Sequence, residues 1–177
     1  VESRPARLPA PPAEWAGVVE RLRLSRQTVA DLVKASERNG SDLLAELLAS
    51  GVRSPDAIYR AIADDVGLRF AGKLDPARLL TGQDDALMLL SAGRGPYVAK
   101  MESPGWLTSH AIVPEDLAQL RTVLARHPGV QDRLKVTSRA AFRDAMLARA
   151  QSALGRLAVE SLCEDFPQFS ARVVANA

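Results

Sequence analysis

At 177 residues, with 47% hydrophobic and 25% charged side chains, the chain is long enough to bury a sizeable core and too apolar to be disordered throughout. Its 23 basic and 21 acidic residues leave a net charge of +2 spread along the sequence, which offers nucleic acid no basic stripe to recognise. A single cysteine excludes an internal disulfide and fits a reducing compartment, and no run reaches the roughly 18 apolar residues that mark a membrane span.

Residues 1–13, VESRPARLPAPPA, are rich in proline and alanine and read as a linker that buries too little to order itself. A helical subdomain is predicted over residues 14–69. Trp15, Val18, Val19 and Leu22 recur at helical spacing from about Ala13. Ser25 caps the next helix, whose stripe is Val29, Leu32 and Val33 and which stops near Asn39-Gly40. Leu43, Leu44, Leu47 and Leu48 then give a third helix one apolar side, and Gly51 ends it. Ser54-Pro55-Asp56 is a strong helix start, combining a hydroxyl cap, a proline in the first turn and a carboxylate that favours the macrodipole. Ile58, Tyr59, Ile62 and Val66 continue the stripe, Gly67 stops the helix, and Leu68-Arg69-Phe70 alternates as a short strand.

An α+β subdomain is predicted over residues 70–160, with residues 161–177 leaving it as a C-terminal linker. Asp84 to Leu90 forms a short helix. Pro96–Met101 and Trp106–Val113 read as two strands around the turn Glu102-Ser103-Pro104-Gly105. Pro114-Glu115-Asp116 opens a helix with the stripe Leu117, Leu120, Val123 and Leu124, which His127-Pro128-Gly129 stops. A strand at Leu134–Val136 follows, and Thr137 or Ser138 caps a long last helix with Phe142, Met146, Leu154 and Leu157 on its apolar side. The fold class is therefore α+β and mainly helical, a small sheet covered by helices.

The chemistry-bearing residues do not assemble into a motif. His110 and His127 lack a third ligand at a recognisable spacing, and Cys163 has no histidine near it in sequence, so packing or exposure explains all three. The acidic pairs Asp64-Asp65, Asp84-Asp85 and Glu115-Asp116 point to different faces of a helix and read as solvated surface or caps. Gly93-Arg94-Gly95-Pro96 lacks the Gly-Lys-Ser/Thr ending and the strand-to-helix setting of a phosphate loop. Arg139, Arg143, Arg149 and Arg156 partly line one side of the last helix, where a solvated face is favoured over contact with anionic lipid. Neither a cofactor nor a metal site is predicted.

The capped helix from Ser25 to Asn39, the leucine helix, Gly51, the Ser-Pro-Asp start and the run Ala61-Ile62-Ala63-Asp64-Asp65-Val66-Gly67-Leu68-Arg69-Phe70 together resemble the N-terminal domain of type II secretion and type IV pilus assembly ATPases. The same domain precedes membrane-bound family 2 glycosyltransferases of bacteria. LKVTSRAAFRDAML at residues 134–147 and the closing Phe166-Pro167-Gln168-Phe169-Ser170-Ala171-Arg172 are similar to segments ahead of the membrane helices of those transferases. The resemblance spans about residues 24–172. Some members of the family hold cyclic di-GMP through Arg-Leu-Gly at the start of the leucine helix and a Gln late in the next one. Matched on Gly67, those positions carry Asp42, Leu43, Leu44 and Asp65, and the Gln position of the preceding helix carries Ser36. Only the leucine is kept. A carboxylate repels phosphate and Leu44 blocks the close backbone approach of a glycine, so the resemblance implies a domain without useful cyclic di-GMP affinity.

The expectation is a non-catalytic regulatory or docking domain on the cytoplasmic side of the inner membrane, at the N-terminus of a bacterial family 2 glycosyltransferase that makes polysaccharide and itself spans the membrane. The alternative is a platform-docking domain of a secretion or pilus ATPase, and a third reading is a stand-alone sensor or small enzyme. Its partner would be another protein or another domain of the same chain. Trp15, Tyr59 and Trp106 are the large side chains that mark an interaction surface if they are exposed, and core if they are not.

Overall fold

The computed structural model describes residues 9–91, 97–103 and 107–165. Most helix starts fall where the sequence places them, because a capping side chain satisfies backbone groups that the helix leaves open, and α2 and α3 end on left-handed glycines. A 3-10 turn over Ala13–Trp15 runs into α1, Ala16–Arg21. Ser25 then accepts from the Thr28 amide at 3.0 Å to start α2, Arg26–Asn39, which ends on Gly40 at φ 61°. Asp42 accepts from the Ala45 amide at 2.6 Å to start α3, Leu43–Ser50. Ser54 accepts from the Ala57 amide to start α4, Pro55–Asp65.

Downstream lie β1 (Arg69–Ala71), α5 (Gln83–Ser91), β2 (Val98–Ser103), β3 (Leu107–Ile112), α6 (Leu117–Arg126), β4 (Leu134–Thr137) and α7 (Arg139–Asp165). The chain is a mainly helical α+β protein. Its sheet has the order β1-β4-β3-β2, with β4 parallel to both β1 and β3 and only the β2–β3 pair antiparallel. Of the residues expected to turn between β2 and β3, Glu102 and Ser103 belong to β2, while Pro104 and Gly105 lie outside the described residues. Thr137 and Ser138 divide the work at the last helix start. Ser138 accepts from the Ala141 amide, whereas the Thr137 hydroxyl donates to the Ala71 carbonyl at 2.8 Å and fastens β4 to β1.

The core is continuous from Trp15 to Ala150, so the two segments read from the sequence as subdomains share it. α4 lies against both β1 and β4, the contact that joins them. Side chains alternate across the sheet. Ala99, Met101 and Ala111 are buried on one face. On the other, the register aligns Phe70, Val136, Ile112 and Val98 in one row across all four strands. Burial falls along that row, from Val136 at 0% exposure through half-buried Ile112 to Val98 at 39%. The sheet face therefore opens toward its β2 edge.

Three stripe positions depart from expectation. Val123 shares a periodicity with Leu117, Leu120 and Leu124 but stands 42% exposed, because α6 rolls only its Leu117-Leu120-Leu124 side onto the core. Leu154 and Leu157 are exposed as well, since the last residue of α7 buried in the core is Ala153 and the helix runs on beyond it. Helix α7 also continues through Asp165, into the stretch from residue 161 expected to be linker; residues 166–177 lie outside the described ones.

Candidate docking groove

A cavity of about 760 Å³ lies where the sheet face opens. Val98 and Ile112 form part of its lining together with Leu134 of β4, Leu120 and Val123 of α6, and Val130 from the 3-10 turn that follows. Among the described residues its charged lining is Glu115 and Asp116, the pair that precedes α6. Asp116 caps that helix by accepting from the Gln119 amide at 2.9 Å. Glu115 pairs with Arg139 at 2.6 Å. An open, apolar trough with an acidic end is suited to receiving aliphatic side chains of another polypeptide.

Tyr97 lines this groove and also a second cavity of about 370 Å³, which Leu89, Leu90, Phe142, Arg143 and Leu147 help to form. The Tyr97 ring meets Phe142 edge-on at 5.5 Å, and the Arg139 guanidinium lies 5.1 Å from its centroid. Both contacts hold the ring where the two cavities meet.

A third cavity of about 400 Å³ gathers Asp42, Leu44, Tyr59, Glu115 and Arg139. Burial pushes the Tyr59 phenol above its ordinary pKa of 10.0; the Arg139 charge opposes that shift, and the Glu115 and Asp42 carboxylates add to it. On the opposite side of α3, Ser41 and Asn39 donate to the Glu46 carboxylate at 2.5 and 2.8 Å, and these hydrogen bonds lower its pKa.

Of the positions matched to the cyclic di-GMP motif, Asp42 and Leu44 line the third cavity, and Asp65 does not join them. Asp42 is a helix cap, Leu43 and Leu44 are each 6% exposed in the core, and Asp65 sits at the far end of α4 from Tyr59. Asp65 also overturns the reading of Asp64-Asp65 as solvated surface. Asp64 is exposed, but the Asp65 side chain is 8% exposed and paired with both Arg121 and Arg21. The signal for this was Gly17, a glycine inside a short helix, where propensity alone disfavours it.

Trp15 and Tyr59, at 7% and 2% exposure, are core residues and not part of an exposed surface; Trp106 lies outside the described residues. His110 stands in β3 opposite Lys100 and Leu134, and His127 follows the end of α6. The Cys163 side chain and Gly93-Arg94-Gly95-Pro96 lie outside what is described. Among the described residues no group of three His, Cys, Asp or Glu side chains is placed to hold a metal ion, and no helix is long and apolar enough to cross a membrane. The basic side of α7 is largely engaged with its own chain: Arg139 with Glu115, Arg149 with the Thr81 carbonyl at 2.9 Å, and Arg156 with Asp84 at 3.0 Å. In comparison with known proteins, no family model and no curated sequence matches the chain.

Proposed function

We propose that this chain is a non-catalytic docking or regulatory domain, carried at the N-terminus of a bacterial membrane glycosyltransferase of family 2 and working on the cytoplasmic side of the inner membrane. The placement in a transferase rests on the sequence resemblance in residues 134–147 and 166–172. The docking role rests on the groove. Its lining is aliphatic apart from Tyr97, Gln119 and two carboxylates already engaged as a helix cap and an ion pair, so what it offers a partner is apolar contact area.

A photo-crosslinking amino acid at Val123, introduced into the protein in its native cells, tests this reading. It is expected to join the chain to another polypeptide or to another segment of its own, while the same probe at Thr122, one residue along and turned away from the groove, gives none. Equal labelling from both positions, or none from Val123, overturns the docking role. The genomic sequence that follows Ala177 tests the parent: apolar spans with a transferase domain support it, and a Gly-Lys-Ser/Thr phosphate loop assigns the chain to a secretion or pilus ATPase instead.

A further inference from the structure

We propose that the cavity of about 400 Å³ beside α3 is a binding site for a primary ammonium carried on a short aliphatic stem. This goes beyond the docking reading and does not depend on it. The residue that points to a ligand is Tyr59. It lines the cavity and is 2% exposed, yet no described residue hydrogen-bonds to its hydroxyl. Buried polar groups ordinarily have a partner. Arg139, Glu115 and Asp42, whose charges act on the phenol, line the same cavity, so the hydroxyl faces into it. None of these residues adjoins an undescribed stretch in sequence.

The acceptors left open there suit an ammonium. Asp42 uses Oδ1 to cap α3, and Glu115 uses Oε1 to receive Arg139. Asp42 Oδ2 and Glu115 Oε2 make no further bond among the described residues. With the Tyr59 oxygen they give the cavity three acceptors, as many as an ammonium has donors. Charge selects the same ligand. Two carboxylates face one guanidinium, and Arg139 is already paired with Glu115 and lies 5.1 Å from the Tyr97 centroid, so the balance in the cavity is negative. Leu44, Ala45 and Leu48 add an apolar wall along which a stem of a few methylenes can lie.

Titration of butylammonium into the isotope-labelled chain at fixed ionic strength and about pH 7, followed at the amide resonances of Ala45 and Leu48, tests the site. Saturable shifts are expected, with a Kd of about 1–10 mM for so small a ligand. Asp42→Asn keeps a capping side chain and Tyr59→Phe keeps the ring, and each should weaken binding by about fivefold or more with thermal unfolding still cooperative. Tetramethylammonium, which has the charge but no N–H donor, should give no saturable shift in the unmodified chain. Nα-acetyl-lysine amide presents the same ammonium on a polypeptide side chain: tighter binding than butylammonium identifies a lysine as the occupant, and weaker binding identifies a free amine. No saturable shift up to about 100 mM overturns the proposal, as does tetramethylammonium binding equal to that of butylammonium, or binding of butyrate in its place.

Discussion

Gly17 faces the carboxylate of Asp65 so closely that a Cβ on residue 17 would collide with it. The missing side chain lets α1 approach the end of α4. There Asp65 receives Arg121 from α6, and Arg21 from α1 stands at 3.7 Å. Arg121 also donates to the Glu14 carbonyl at 2.9 Å. One carboxylate thus ties the N-terminal turn, α1, α4 and α6 together.

Gly17→Ala is therefore expected to destabilise the chain by about 1–3 kcal/mol, the usual range for forcing a group into a filled space, although alanine is the better helix former. Asp65→Ala should cost about 1.5–3 kcal/mol through the lost charge-assisted bonds to Arg121. The two effects are coupled. In the Asp65→Ala background the collision is gone, so Gly17→Ala should be neutral or stabilising, and denaturant midpoints of the four proteins in a double-mutant cycle measure this directly. Additive losses would mean that Gly17 is needed for some reason other than Asp65.

Similar hydrophobic stripes conceal opposite outcomes at Leu47 in α3 and Val123 in α6. Leu47 is fully buried, and Leu47→Ala should cost about 2–5 kcal/mol in urea unfolding. Val123→Ala, at a groove-lining position 42% exposed, should change stability by less than about 0.5 kcal/mol. A comparable loss at both would place Val123 in the core.

Helix boundaries were legible because capping is local: Ser25, Ser54, Gly40 and Gly51 act within a few residues of themselves. The alternation in β2 and β3 was equally local. Sheet order was not, since the parallel pairing of Arg69 with Lys135 joins residues far apart in sequence and leaves no mark on either segment. The groove was hidden for a related reason. Hydrophobic periodicity reports that a residue is apolar and in phase, and Val123, Leu154 and Leu157 satisfy it as well as Leu120 does. Whether such a residue is buried depends on where the opposing surface ends. Asp65 shows the reverse: an acidic pair looks solvated until two arginines arrive from other helices.

Asp42 carries two expectations at once. As the cap of α3, Asp42→Ala should lower stability by about 1 kcal/mol while Asp42→Asn retains most of it. At the position where the resembling family places an arginine for cyclic di-GMP, Asp42→Arg should lose the cap and gain no nucleotide affinity, because Leu44 is buried behind it and Asp65 is held elsewhere. Calorimetry of the unmodified chain with cyclic di-GMP should give no heat of binding in the micromolar range, and submicromolar affinity would refute that assignment.

Tyr59 sets an alkaline limit on stability. Its phenol is buried, so the folded-state pKa is raised above the ordinary 10.0 of the unfolded chain. The folded protein then holds this proton more tightly than the unfolded one. Its contribution is complete below about pH 10 and is lost as the pH rises through the folded-state value. Urea midpoints followed from about pH 8 to about pH 11 should fall at the upper end in the unmodified chain, and Tyr59→Phe, which keeps the ring and removes the proton, should flatten that fall. Asp42→Asn removes one of the carboxylates that raise the pKa while keeping a capping side chain, so it should make that fall smaller. An unchanged alkaline slope in Tyr59→Phe would assign the loss to other groups.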